Sequence, residues 1–393
     1  MTQPTSADLP PPLAHGMDAG LAEPDWPPLT LAEVRALAPR YAALDGPLRI
    51  IWHSPRPFSA AARVLTAQGE VFVKRHDVRV RDACALLEEH RFIAHLRAQR
   101  YGVPLVHQNR DQETATALGD RIYEVHAPVA GADAYRDMHS WVPVRSEGDA
   151  HAMGAALARL HRAARGYMAP PRPPRPLLAG IDIIGRVGLA DGLAQFLAQR
   201  PAVAAYLDAT GGMQPLLEAL EAVHAPLVDL LPALEPLWVH NDWHASNLFW
   251  SDEGPFRSVV AAIDFGLCNL GWAVADLATA LERNTVAWLE PGADLGRAAL
   301  AGALIAGYDK VRPLTVAERA ALPLLLSLAH VEYALSEVDY FHGVLGNDAN
   351  AALAYPRFLL GHIAWFAGPH GQAYVDAVRA CLAAAAARAG TGI

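Results

Sequence analysis

The sequence predicts an α+β chain of two lobes, a small N-terminal lobe of antiparallel sheet plus one helix and a larger, mainly helical C-terminal lobe. Three observations carry this reading. Strand-like runs Ala62-Arg63-Val64-Leu65-Thr66 and Val71-Phe72-Val73-Lys74 flank the turn Gln68-Gly69-Glu70, which reads as a hairpin. Past residue 128 the longer runs Ala150–His161, Leu189–Gln199 and Met213–Leu231 read as helices instead. With 393 residues, 52% hydrophobic and 19% charged, the chain can bury more than one core, and two lobes is the natural count.

Residues 1–28 are proline-rich and are expected to form a disordered tail. Thr30-Leu31-Ala32-Glu33 has the pattern of a capping box and should start the first ordered helix. The small lobe is expected over 29–127, with the hairpin, a helix over Arg81–Leu96, and a strand over Arg121–Val125 that leads into a connecting segment at His126–Gly131. The larger lobe takes 128–393. It should hold a helix over Ala150–His161, then a long insertion opened by Pro170-Pro171-Arg172-Pro173-Pro174-Arg175-Pro176, with helices over Leu189–Gln199 and Met213–Leu231. Apolar runs Leu237–Val239, Leu248–Trp250 and Ser258–Ile263 read as short strands, with Ser251–Pro255 as a turn between the last two.

Composition narrows the function classes. Formal charge is −9, from 32 basic and 41 acidic residues, and no basic run interleaves with aromatics, so nucleic acid is not an expected partner. No segment reaches the roughly 18 uninterrupted apolar residues of a membrane span. The N-terminus lacks a basic-then-apolar pattern, so a cytoplasmic location is expected. Cys84, Cys268 and Cys381 have no C-x-x-C spacing, so neither a disulfide framework nor a cysteine zinc site is expected.

The chemistry concentrates in His240-Asn241-Asp242-Trp243-His244-Ala245-Ser246-Asn247, followed by Asp264-Phe265-Gly266. H-x-D-x-x-x-x-N places a carboxylate and a carboxamide on one loop, and D-F-G brings a second carboxylate. Phosphoryl transfer needs little covalent help, but it needs an aimed nucleophile and neutralised phosphate charge. Asp242, ionised at neutral pH, would accept a hydrogen bond from the attacking hydroxyl and later its proton. Asn247 and Asp264 supply the oxygens that Mg²⁺ prefers. ATP and Mg²⁺ are therefore the expected cofactors.

On these residues the chain resembles the superfamily of aminoglycoside phosphotransferases, choline kinases and type II homoserine kinases. The resemblance implies a protein-kinase-like fold and transfer of the γ-phosphate to a hydroxyl of a small molecule, such as an amino alcohol, an aminoglycoside or a homoserine-like compound. His244 stands where eukaryotic-type protein kinases usually carry lysine, and no A-P-E segment follows the D-F-G. In Gly271–Ala278 the resemblance makes Asp276, together with His240, a support for the catalytic loop. It also implies a phosphate-binding lysine on the third strand, for which Lys74 fits, and a helical glutamate paired with it, Glu89 or alternatively Glu88. The loop His53–Ala62, which would cover the phosphates, contains no glycine; Ser59, or alternatively Ser54, would offer its hydroxyl and backbone N–H there. Glu124 and His126 fall at the expected nucleotide-binding hinge.

In this superfamily the insertion and the C-terminal helices build the acceptor pocket. Glu282, Glu332, Glu337 and Asp339 would give it an acidic lining suited to an amine, with Tyr333, Tyr340, Phe341 and His342 nearby. Two alternatives stay open: a protein Ser/Thr kinase of the bacterial stress-response kinase A type, and a non-catalytic nucleotide-binding regulator suggested by the glycine-free loop. Acceptor identity, ATP versus GTP, and oligomeric state are not set by the sequence.

Overall fold

The structure is a computed structural model and describes residues 24–251 and 257–390. Most of the expected tail, and all but the first residue of the expected turn Ser251–Pro255, lie outside the described residues. The end of that tail is tied down: the Tyr340 hydroxyl donates to Asp25 at 3.0 Å.

The small lobe opens with α1 (Leu31–Leu37), which carries the anticipated capping box: Glu33 N–H donates to Thr30 Oγ1 at 3.2 Å, and Thr30 N–H donates to Glu33 Oε2 at 2.8 Å. Five antiparallel strands follow: β1 (Arg49–His53), β2 (Ala60–Thr66), β3 (Gly69–Asp77), β4 (Thr116–Leu118) and β5 (Arg121–His126), in the order β1-β2-β3-β5-β4. Alternation along β3 and β5 decides what each face does. Val71, Val73, Tyr123 and Val125 pack with Leu29, Val34, Leu37 and Leu44 under α1. The other face presents Phe72, Lys74 and His76, paired in register with His126, Glu124 and Ile122. Against it lies α2 (Ala83–Ala98), which starts two residues later than expected because Asp82 is its N-cap, accepting from Ala85 N–H at 2.7 Å. Arg81 is thereby left outside the helix.

The larger lobe contains α3 (Glu147–Ala164), α4 (Leu189–Ala198), α5 (Pro201–Thr210) and α6 (Met213–Val228), then β6 (Pro236–Val239), β7 (Leu248–Trp250), β8 (Val259–Ala262) and β9 (Asn269–Trp272). Next come α7 (Ala273–Thr285), α8 (Ala298–Val311), α9 (Val316–Leu325), α10 (Val331–Val338), α11 (Asp348–Ala352), α12 (Gly361–Ala367) and α13 (Pro369–Gly390). The sequence reading missed α5, which starts at a proline, and β9, which pairs with β6, while β7 pairs with β8. Helices α3 and α8 touch backbone to backbone: a Cβ on Gly154 would lie 2.0 Å from the Leu304 carbonyl oxygen, and one on Gly307 would lie 2.0 Å from that of His151. That contact positions α3, whose His161 meets Asp276 beneath the loop 240–247. The inter-lobe segment is anchored by Ala132 N–H donating to Trp250 O at 2.7 Å and Trp250 N–H to Ala132 O at 2.9 Å. Gly131, at φ +103°, precedes it, and a Cβ there would come within 2.7 Å of Trp250 O. Among the described residues no helix is long and apolar enough to cross a membrane.

Candidate active site

The loop 240–247 runs between β6 and β7, with Asn241 in the left-handed region at φ 62°. A non-glycine residue there costs on the order of 1–3 kcal/mol and must be held. Asp276, fully buried in the first turn of α7, does so: its two oxygens accept from His240 N–H and Asn241 N–H, each at 2.9 Å. His161 of α3 meets Asp276 Oδ2 from the other side at 3.0 Å. The His240 ring lies 3.0 Å from Ile263 O through Nε2 and accepts from Asp242 N–H through Nδ1 at 3.2 Å. Further along α7, Asn284 donates to Trp243 O at 2.8 Å and accepts from Ala245 N–H at 3.0 Å.

Asp242 Oδ1 accepts from Arg283 at 2.8 Å and Oδ2 from the Asn247 amide at 3.0 Å, while His244 Nε2 stands 3.5 Å from Oδ2. Burial alone would raise the Asp242 pKa; His244 and Arg283 outweigh it and hold the carboxyl well below the usual aspartate range. Burial also pushes His244 down to about 4, so its ring is neutral at pH 7. Asp264, again left-handed at φ 59°, meets the Lys74 ammonium at 3.1 Å through Oδ1. Burial disfavours its charge, but Lys74 keeps its pKa below normal. A Cβ on Gly266 would lie 2.1 Å from Arg81 Nη2, so a side chain there would displace the guanidinium.

Two expectations are corrected here. Glu89 does not pair with Lys74. It is buried and taken by two guanidiniums, Arg81 at 2.7 Å and Arg172 at 2.9 Å, which lower its pKa against the effect of burial. Arg81 is free to fold back because α2 begins after it, and Arg172 is delivered by the proline-rich segment, where it also donates to Gly266 O at 2.9 Å and Cys268 O at 3.0 Å. Glu88 meets Arg172 and Arg175, each at 3.2 Å, instead of Lys74. Glu124 lies in the strand expected for it, whereas His126 ends β5 instead of opening the connecting segment; both line the same cavity, and the Glu124 carboxylate is surrounded by His76, His90 and His126.

Two cavities, each of about 520 Å³, meet in the cleft. One is lined by Lys74, Glu89, Glu124, His126, Phe249 and Ile263. The other is lined by His139, Trp141, Asp242, Arg283, Tyr333 and Glu337. Arg56, Ser59, Lys74, Asn247 and Asp264 line both and mark the junction. Ser54 borders only the first cavity, and its hydroxyl accepts from Arg56 N–H at 3.2 Å.

The second cavity is less acidic than expected. Of the four acids proposed for it, Glu337 lines it, with its pKa raised by burial to about 8. Glu332 is buried, accepting from Gly180 N–H at 2.9 Å and Ile183 N–H at 2.7 Å. Glu282 lies between His330 and His362, 3.0 Å from each, and Asp339 lies outside the lining. Tyr333 and Phe341 line the cavity; Tyr340 is committed to Asp25, and His342 to Asp348 at 2.6 Å.

Sequence reasoning missed Arg56 and Arg283. Arg56 sits between two prolines in the glycine-free loop, donates to Met138 O at 3.1 Å, and forms no ion pair among the described residues. Burial lowers its pKa, with Asp242 and Asp264 acting the other way. A signal for Arg283 was present, because Asp276, Arg283 and Asn284 recur at helical spacing and so share a face of α7.

Comparison with known proteins follows this geometry. The chain spans about half the length of curated homoserine kinases it matches: that of Gluconacetobacter diazotrophicus is 32% identical over 191 residues, 47% of this chain and 51% of that protein. The homoserine kinase of Acidiphilium cryptum is 27% identical over 247 residues, 62% of this chain and 66% of that protein. In fold the chain is similar to a microcompartment-associated aminopropanol kinase, with TM-score 0.61, 19% identity, and coverage of 87% of this chain and 99% of that one. An aminoglycoside phosphotransferase from Alicyclobacillus acidocaldarius gives TM-score 0.53 at 18% identity, covering 91% and 97%. These neighbours share the α+β, kinase-like two-lobed fold. The model of the phosphotransferase enzyme family matches residues 56–314, and the chain belongs to that family.

Proposed function

We propose that this protein transfers the γ-phosphate of ATP to the hydroxyl of a small acceptor carrying both an acidic and an amino group, a hydroxy amino acid of the homoserine type. The observation that carries the proposal is that Asp242, on the second cavity, is hydrogen-bonded to Asn247, which with Asp264 and Lys74 lines both cavities. The relatives named homoserine kinases, and the amicoumacin kinase hAmiN, solved with AMP-PNP and Ca²⁺ at TM-score 0.52 and 17% identity over 84% of this chain and 92% of that one, support it.

Lys74, inside β3 opposite Ala61 of β2, would meet the phosphates as a point charge. The fit to magnesium is good: Asp264 is ionised with one of two oxygens engaged by Lys74, and the Asn247 amide nitrogen is committed to Asp242, which leaves its amide oxygen to face a cation. Bound there, Mg²⁺ supplies neutralisation of phosphate charge. Asp242 Oδ1 carries one donor and keeps a lone pair for the acceptor hydroxyl. As the bond from acceptor oxygen to γ-phosphorus forms and the bond from γ-phosphorus to the β–γ bridging oxygen breaks, the hydroxyl proton passes to Asp242. A carboxylate held so acidic orients the hydroxyl first and takes its proton late. Arg56, at the junction and in no ion pair among the described residues, would stabilise the transferring charge where a glycine-rich loop is missing. Among the residues lining the second cavity, Arg56 and Arg283 suit a carboxylate, and Tyr333 with the Glu337 carboxyl, mostly protonated at neutral pH, offers hydrogen bonds to an amine.

The test is ADP release with Mg-ATP against homoserine, aminopropanol, choline, aminoglycosides and a protein acceptor. Turnover with a hydroxy amino acid supports the assignment; turnover on protein alone, with no small acceptor used, refutes it.

A further inference from the structure

Behind Lys74, between the sheet and α2, three imidazoles converge on one carboxylate. Glu124 Oε2 lies 2.7 Å from His90 Nε2 and 2.8 Å from His126 Nε2, and Oε1 lies 2.9 Å from His76 Nε2. The side chains of His76, His90 and Glu124 are 1%, 3% and 3% exposed, and His126 is 15% exposed. We propose that His90, Glu124 and His126, with His76 as the fourth group, form a binding site for one divalent transition-metal ion of the zinc class.

The donor chemistry selects the ion. Imidazole nitrogens with a carboxylate suit zinc-like ions and not Mg²⁺, so this site is distinct from the oxygen pair Asp264 and Asn247. The ligand-capable atoms of His90, Glu124 and His126 all lie within 4.8 Å of one another. A tetrahedral ion with bonds of about 2.0–2.1 Å needs donors about 3.3 Å apart, so the nitrogens must move roughly half an ångström from the carboxylate. An outer partner is in place: His90 Nδ1 is 2.8 Å from Thr114 Oγ1, which orients the ring with Nε2 toward the site. The small apolar cluster Leu86, Ala115 and Ile122 borders the site, while His126 lines the nucleotide-side cavity and provides a route for the ion. Bound there, the ion joins α2 to β3 and β5 and fixes the wall on which Lys74 stands, since Lys74 is the register partner of Glu124.

The experiment uses the full chain, stripped with a chelator and titrated with Zn²⁺ under excess Mg²⁺, with bound metal measured by mass spectrometry and Co²⁺ used as a spectroscopic probe. We expect one equivalent of Zn²⁺ and the intense visible absorption of four-coordinate Co²⁺. Both should be lost in His90→Gln and in His126→Gln and kept in Asp264→Asn, and Thr114→Val should weaken Zn²⁺ binding by about 10–100-fold. Circular dichroism checks folding; if His90→Gln does not fold, His126→Gln, at the more exposed edge, decides. Absence of stoichiometric Zn²⁺ in folded wild type, a six-coordinate Co²⁺ spectrum, or loss of the ion in Asp264→Asn with retention in a histidine variant would overturn the proposal.

Discussion

Asp242 is ionised against the effect of its own burial, and the groups that keep it so also aim it. Arg283 and Asn247 each fix one oxygen, so removing either leaves the charge less supported and the carboxylate free to rotate. Arg56 is the residue that most distinguishes this site from a glycine-loop design. Arg56→Ala is expected to lower kcat by about 10²-fold, the usual cost of one preorganised donor, with nucleotide affinity changed far less. Arg56→Lys should recover only part of it, because an ammonium is a point charge without the planar fork; steady-state kinetics beside nucleotide titration read the split. Glu337 gives a pH signature. Its native pKa of about 8 lies above the ordinary 4.5, so between these values the native state holds a proton that the unfolded chain has released. Its contribution to stability therefore declines as pH rises from about 4.5 to 8. As pH rises across that range the wild-type thermal midpoint should lose ground relative to Glu337→Gln, while His244, held down at about 4, acts with the opposite sign in both proteins; parallel curves would remove the buried carboxyl from the account. Glu332, raised to about 7, acts with the same sign, so the slope should flatten only in part.

Among the elements, α7 matters most, because one face carries Asp276, Arg283 and Asn284 and so holds the catalytic loop at both ends. Asp276→Ala strands two backbone N–H groups beside a strained Asn241, at about 1–3 kcal/mol each. Activity should collapse in that variant together with a drop in denaturation midpoint, whereas a loss of activity at full stability would mean the loop is held elsewhere. The α3–α8 crossing is the second determinant. Gly154→Ala must push two backbones apart and should cost about 1–3 kcal/mol in urea denaturation, as overpacking does; an unchanged midpoint would show the contact to be loose.

For the whole molecule, what the sequence disclosed follows from how far each interaction reaches along the chain. The hairpin that carries Lys74, though its second strand runs on to Asp77, the capped α1 and the H-x-D-x-x-x-x-N loop are local patterns, legible from turn chemistry, capping residues and spacing. Long-range charge pairing was not legible. Glu89 and Lys74 carry the expected residue types, yet Glu89 is shared between Arg81, 8 positions away, and Arg172, 83 positions away in a proline-rich segment, and the partner of Lys74 is Asp264, 190 positions away. The acceptor side failed for the same reason: helical spacing put Glu282, Glu332 and Glu337 on α7 and α10 but could not say which helix face the cleft would take. The central claim is that Asp242 works on the acceptor and not on the nucleotide. The most direct measurement pairs the Mg-ATP dissociation constant with single-turnover transfer of labelled γ-phosphate to homoserine, in wild type and Asp242→Asn. The account predicts nearly equal ATP binding and transfer slowed by ~10²–10⁴-fold in the variant; equal transfer rates would contradict it.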